Sequence, residues 1–198
     1  MRVIAGKFRS RQLKSLKGMA LRPTSDRLRE TLFNILSERV AQSRFVDVFA
    51  GTGAVGIEAL SRGAKEAIFI ERHPPAAALI RKNLEALEIR SSGRVLSVDA
   101  LHGLELLLRE LERGPQMPTI VFLDPPYGNS EDYDRVLSFL GLAVLLDDSL
   151  VVAEHRRNFD LPETFGNLQR VRVLKQGDAS LSFYRAVRNG QTSGSPGQ

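Results

Sequence analysis

The pattern of apolar and polar positions changes character near residue 44. Beyond it, short β-rich apolar runs at 45–49, 67–71, 95–98, 119–123 and 150–153 alternate with helical stretches near 54–62, 74–88, 100–112 and 131–140. The runs read as strands buried on both faces, because few polar residues interrupt them. Gly63 and Gly93 stand where helices should stop, and Pro74-Pro75 where one should start. Strand–helix alternation with right-handed crossovers predicts a doubly wound, Rossmann-like α/β fold with a mostly parallel sheet. The end of the chain breaks the pattern. Strand-like runs at 169–174 and 181–187 are joined only by Lys175-Gln176-Gly177-Asp178, which predicts a hairpin and an antiparallel last strand.

Before residue 44 the pattern is weaker. Residues 3–8 and 11–16 read as two short strands around a turn. Arg22-Pro23 sets an extended entry, and Thr24, Ser25 or Asp26 can cap a helix. Leu28, Leu32, Ile35, Leu36 and Val40 follow at helical spacing, which leaves Arg27, Arg29 and Asn34 off the apolar stripe and facing a partner. The expected organisation is an N-terminal hairpin and helix at 1–43, a main domain at 44–188, and a disordered tail at 189–198 that lacks an apolar anchor.

Charge sharpens that division. The 198 residues carry a formal +5, but residues 1–44 hold eleven basic side chains against three acids, a net +8, leaving the rest at −3. A solvated charged face is the plain reading of such a run. The alternative is a grip on a polyanion, with Lys7, Arg9, Arg11, Arg22, Arg27 and Arg29 as the candidate contacts. At 42% apolar and 26% charged, the composition excludes a disordered or fibrous chain. The absence of cysteine excludes disulfides, thiolate metal sites and cysteine nucleophiles. His73, His102 and His155 lack a metal-ligand spacing, so no metal is expected, and His155 reads as structural. Residues 1–7 hold no apolar leader core, and no run approaches the ~18 apolar residues of a membrane span, so a cytoplasmic protein is expected.

The chemistry concentrates where strands end. Gly51, Gly53 and Gly56 form G-x-G-x-x-G at the first strand-to-helix turn, a pattern that alone also fits nicotinamide and flavin sites. Glu71 ends the second strand, 20 residues after Gly51, where a carboxylate can accept ribose hydroxyls. Asp99 ends the third, although it could simply cap the next helix. Asp47, inside the first strand, suits a cationic amino group and would repel a pyrophosphate, which favours S-adenosylmethionine over a dinucleotide. The candidate cofactor residues are Asp47, Phe49, Gly51, Gly53, Gly56, Glu71, Asp99 and Ala100.

The fourth strand runs into Asp124-Pro125-Pro126-Tyr127. The prolines hold the backbone extended and offer carbonyls without N–H groups. A carboxylate beside such a carbonyl can accept both hydrogens of an exocyclic amine and aim its lone pair at a sulfonium methyl. Tyr127 can stack on the base, typically worth ~1–3 kcal/mol. The candidate catalytic residues are therefore Asp124, Pro125, Pro126 and Tyr127.

These residues resemble the DPPY class of amino-methyltransferases. Residues 22–36 (RPTSDRLRETLFNIL), 49–60, 123–127, 151–155 and 181–184 further resemble the bacterial RsmD-type family. The resemblance implies methylation of N2 of a guanine in 16S ribosomal RNA, at family position guanine 966, with S-adenosylmethionine as cofactor. It also implies an assembling small subunit as substrate. Asp124, Pro125 and Tyr127 would hold the guanine amine, and the basic hairpin and residues 22–29 would grip RNA. A monomer is expected. The sequence departs from the family pattern at Gln176, where an aromatic is usual, and at Ala179, where threonine is usual. Three other readings compete: a DNA adenine-N6 or cytosine-N4 methyltransferase, a nicotinamide oxidoreductase, and an inactive RNA-binding module. The length leaves little room for a DNA target-recognition domain, Asp47 and Asp124 to Tyr127 argue against the oxidoreductase, and an intact Asp124 argues against the inactive module.

Overall fold

The structure is a computed structural model and describes residues 1–15, 25–111, 119–126, 130–143 and 149–187. In chain order the elements are α1 (Asp26–Leu36), a 3-10 turn (Ser37–Val40), β1 (Arg44–Val48), α2 (Ala54–Ser61), β2 (Glu66–Ile70), α3 (Pro74–Ala86), β3 (Gly93–Leu96), α4 (Ala100–Leu111), β4 (Thr119–Leu123), α5 (Ser130–Leu142), β5 (Leu150–Arg156), β6 (Thr164–Phe165), β7 (Leu168–Gln176) and β8 (Ala179–Ala186). The eight strands form one sheet in the order β3-β2-β1-β4-β5-β8-β7-β6. β3, β2, β1, β4 and β5 pair in parallel. β8 runs antiparallel to both β5 and β7, as the terminal hairpin predicts.

β1 and β4 are buried at every residue, which explains their unbroken apolar runs. Their side chains divide between two cores. Phe45 and Phe122 point with Phe69 into the layer formed by α1, α2 and α3, while Val46, Val48, Val121 and Leu123 point to α4 and α5. The chain order reverses at β1, which lies between β2 and β4. Such a reversal opens a crevice at the carboxyl ends of the strands, where ligands of open α/β sheets bind.

α1 begins as predicted, with Ser25 Oγ accepting the Leu28 N–H at 3.1 Å. Two N-terminal expectations need correction. Among the described residues the strand-like pairing there is a single antiparallel bridge, Arg2 to Gln12, rather than strands over 3–8 and 11–16. Residues 5–10 turn, with Arg9 N–H donating to Gly6 O and Arg11 N–H to Phe8 O, and the Ile4 and Ala5 amides donate to Glu58. Arg29 is 0% exposed and does not face outward. It shares the buried side of α1 with Phe33 and Leu36, and its Nη2 donates to Arg2 O at 2.7 Å and Asp26 Oδ1 at 2.9 Å. Val3 and Leu13 belong to the same core as Phe45 and Phe69. Arg22, Thr24, Leu16 and the tail at 189–198 lie outside the described residues.

Candidate active site

The crevice holds a cleft of about 650 Å³, within the range of small-ligand sites. Asp47, Phe49, Gly51, Glu71, Asp99, Ala100, Asp124, Pro125 and Pro126 all line it, so strand ends far apart in sequence meet in one place. Tyr127 lies outside the described residues.

The turn after β1 is built from unusual backbone. Phe49 has φ +63°, and Gly53, the N-cap of α2, has φ +76°. For phenylalanine this left-handed conformation is strained, and such strain gathers at ligand-binding turns. Gly56 serves close packing: a Cβ there would lie 2.4 Å from Phe69 Cε1, a buried ring of β2. Glu71 braces the turn from β2. Its Oε2 accepts the Gly51 N–H and its Oε1 the His73 N–H, both at 2.8 Å. Asn83 of α3 donates to Thr52 O at 3.3 Å. Asp99 caps α4, accepting the His102 N–H at 3.1 Å, and also lines the cleft.

Asp47 sits between its register partners Phe69 and Phe122 and is 2% exposed. Burial pushes its pKa from 3.8 up to about 8. The Gly56 N–H, donating at 2.8 Å, opposes that shift and the Glu71 charge adds to it. A buried acid in this state fits a cationic ligand group, which would supply the missing countercharge. One consequence is measurable without ligand. Between about pH 4 and pH 8 the unfolded chain ionises Asp47 and the fold does not, so the unfolded chain has bound fewer protons and stability falls as pH rises. Denaturant unfolding across that window should show a decline in wild type that Asp47→Asn lacks. Parallel curves would contradict the assignment.

Asp124 follows β4 directly. Val48 pairs with Leu123 at the neighbouring strand end, which places Asp124 beside the end of β1. Pro125 is buried and Pro126 exposed. α5 closes this end of the cleft with Asp132, Arg135 and Val136, which sequence reasoning did not single out. Their position in the first two turns of the helix after Asp124–Pro126 was the available signal. Thr52, Arg72 and His73 were missed as well. His155 lies elsewhere and is structural: Nδ1 faces the Arg156 carbonyl at 2.9 Å and must carry the hydrogen, so Nε2 accepts from Ser182 Oγ at 2.9 Å. Burial lowers its pKa and keeps it neutral.

The basic N-terminal segment is fastened beside the cofactor turn. Lys7, Arg9, Arg11 and Arg27 are exposed, whereas Arg29 is not available to a partner. Glu58 of α2, 0% exposed, accepts the Ile4 N–H at 2.8 Å, the Ala5 N–H at 3.0 Å and Arg62 Nε at 2.7 Å, and lies 3.9 Å from Arg29 Nε. Asn83 Oδ1 accepts the Lys14 N–H at 2.9 Å. Among the described residues no helix is long and apolar enough to cross a membrane, and no group of three or more metal-ligating side chains converges.

Comparison with known proteins agrees with this geometry. The family model described as "Conserved hypothetical protein 95" matches residues 1–185. "Ribosomal RNA small subunit methyltransferase D" of Haemophilus influenzae is 41% identical over 192 residues, covering 96% of this chain and 94% of that protein. The protein of the same name from Escherichia coli K12 is 34% identical over 194 residues, covering 97% and 93%. A solved Escherichia coli structure aligns with a TM-score of 0.78 and 31% identity, covering 94% of this chain and 97% of that one. With its family model spanning residues 1–185 and two relatives matched along nearly their whole lengths, the chain belongs to the RsmD-type methyltransferase family.

Proposed function

We propose that this protein is an S-adenosylmethionine-dependent RNA methyltransferase that modifies the exocyclic N2 amine of a guanine in 16S ribosomal RNA, at the family position guanine 966, in the assembling small subunit. The observation that carries this reading is the meeting of Asp124-Pro125-Pro126 with Asp47, Glu71 and Asp99 in one cleft at the sheet's reversal point. The methyltransferase relatives support it.

The residues fit the cofactor. Asp47 would offer a buried carboxyl to the methionine amino group, Glu71 would accept the ribose hydroxyls, and Asp99 and Ala100, with the apolar Ile70, Val98 and Leu101, would hold the adenine end. When bound, S-adenosylmethionine supplies a methyl group activated by sulfonium. Asp124 and the Pro125 carbonyl accept the two amine hydrogens, which turns the nitrogen lone pair out of conjugation with the base and toward the methyl. Positioning of this kind can contribute several orders of magnitude by itself. With the cofactor bound, Asp124 would then be placed to take the proton that the methylated nitrogen sheds. Tyr127 stacks on the guanine, which must leave its helix to reach it.

Lys7, Arg9, Arg11 and Arg27, together with Arg22, contact RNA phosphates. The protein acts in the cytoplasm as a monomer and needs no metal. The test is transfer of labelled methyl from S-adenosylmethionine to small-subunit RNA or particles lacking the modification. Label in RNA is expected, and label in DNA alone would overturn the reading.

A further inference from the structure

The cleft wall formed by α5 carries a charge that neither the cofactor nor the amine explains. The first turns of α5 are acidic, with Glu131 and Asp134 exposed and Asp132 buried between them, charges that would repel a polyanion. Arg135 stands four residues after Glu131 and three after Asp132, spacings at which helical ion pairs form. Yet it makes no ion pair or hydrogen bond with either, or with any other described residue. It is exposed and lines the cleft together with Asp124, Pro125 and Pro126. The cleft's other arginine, Arg72, follows Glu71 at the end of β2, on the cofactor side.

The fold gives this position a meaning. The basic N-terminal segment packs on the α2 and α3 side of the sheet, while α5 covers the opposite face. An RNA gripped by Lys7, Arg9 and Arg11 and delivering a base to Asp124 therefore meets the α5 wall on the far side of the cleft. A nucleotide cannot enter without its phosphates. Arg135, the cleft-lining guanidinium of α5 without a partner among the described residues, is the group able to hold one beside Asp124–Pro126.

We propose that Arg135 is a substrate-contacting residue that binds a backbone phosphate next to the target nucleotide and so fixes the depth of the base against Asp124. The proposal rests on the RNA-methyltransferase reading above. The same charge could instead meet the carboxylate of the cofactor's methionine, and the experiment separates the two anions.

Arg135→Ala and Arg135→Lys are compared with wild type for methyl transfer to small-subunit RNA at several salt concentrations, and for binding of S-adenosylhomocysteine by calorimetry. Arg135→Ala should lower kcat/KM for RNA about tenfold and reduce the salt slope by ~0.7–0.9, the value of one phosphate contact. Affinity for S-adenosylhomocysteine should stay within about twofold, since none of the groups assigned to the cofactor has changed. Arg135→Lys should restore the slope, because a point charge still meets a phosphate. An unchanged slope and rate would overturn the proposal, as would a loss confined to S-adenosylhomocysteine binding. A wild type that binds S-adenosylhomocysteine but methylates no RNA would overturn the functional reading, and the role of Arg135 with it.

Discussion

Asp124→Ala should bind S-adenosylhomocysteine with near wild-type affinity and lose turnover by on the order of 10³-fold, the scale seen when one preorganised transition-state hydrogen bond is removed. The reason is geometric. Asp124 sits at the end of β4, beyond Leu123, which pairs with Val48 of β1, while the cofactor side of the cleft is built from Asp47, Gly51 and Glu71 on other elements. Removing the carboxylate leaves those elements in place and deletes the acceptor that aims the amine. Asp124→Asn is informative beside it. An amide can still accept one hydrogen but offers no negative charge to the nitrogen as it becomes cationic, so its loss should fall between wild type and alanine. Comparable turnover in wild type and Asp124→Ala would move the catalytic centre elsewhere.

Glu58→Ala should destabilise the fold by ~3–5 kcal/mol, because it takes a buried carboxylate away from the buried Arg29 guanidinium and leaves two backbone amides without their acceptor. Glu58 is 0% exposed and serves Arg62, Arg29 and the amides of Ile4 and Ala5 at once. The Arg29 guanidinium is equally buried, with Nε and Nη1 lacking hydrogen-bond partners, and its remaining acid, Asp26 at 2.9 Å from Nη2, is half exposed rather than in the core. For a chain of this size the loss corresponds to a fall in Tm on the order of 10 °C. Glu58→Gln retains an acceptor for the backbone amides and should lose less. RNA affinity should fall in Glu58→Ala even where the protein remains folded, because the segment bearing Lys7, Arg9 and Arg11 loses one of its anchors, Ser61 and Asn83 being the others. Thermal unfolding and RNA titration of both variants check this. A Tm within about 2 °C of wild type would show that the network is not what holds the segment.

Much of the fold was legible because its central strands β1 and β4 are short and buried on both faces. β4 was readable to the residue at 119–123, bounded by Asp124-Pro125-Pro126. β5 was readable only to Ala153, although the strand continues to Arg156. Glu154 and His155 are buried polar residues, and a reading that equates burial with apolarity stops before them. β6 has two residues and no periodicity. It pairs locally with β7, Thr164 with Gln169 and Phe165 with Leu168, and the turn between them is held to α5, where Asn167 N–H donates to Gly141 O at 2.8 Å.

The same limitation explains Arg29. Helical spacing counts apolar side chains, and Arg29 occupies the buried stripe with Phe33 and Leu36 because Glu58, 29 residues later, lies beside it. No local pattern encodes that partnership. In the cleft, the motif residues Asp47, Gly51, Glu71, Asp99 and Asp124 were legible, since each ends or follows a strand. Arg135 and Asp132 were not, because a helix beside the cleft carries no motif. The N-terminal charge excess was visible as +8, but its exposed share is smaller than the count implies once Arg29 is inside.

The most direct test of the account is to digest small-subunit RNA treated with the protein and labelled S-adenosylmethionine, and to identify the methylated nucleoside by mass spectrometry. N2-methylguanosine is expected at a single position, present with wild type and absent with Asp124→Ala. Label on adenine N6, on cytosine N4, on a pyrimidine carbon, or on no RNA nucleoside would contradict it.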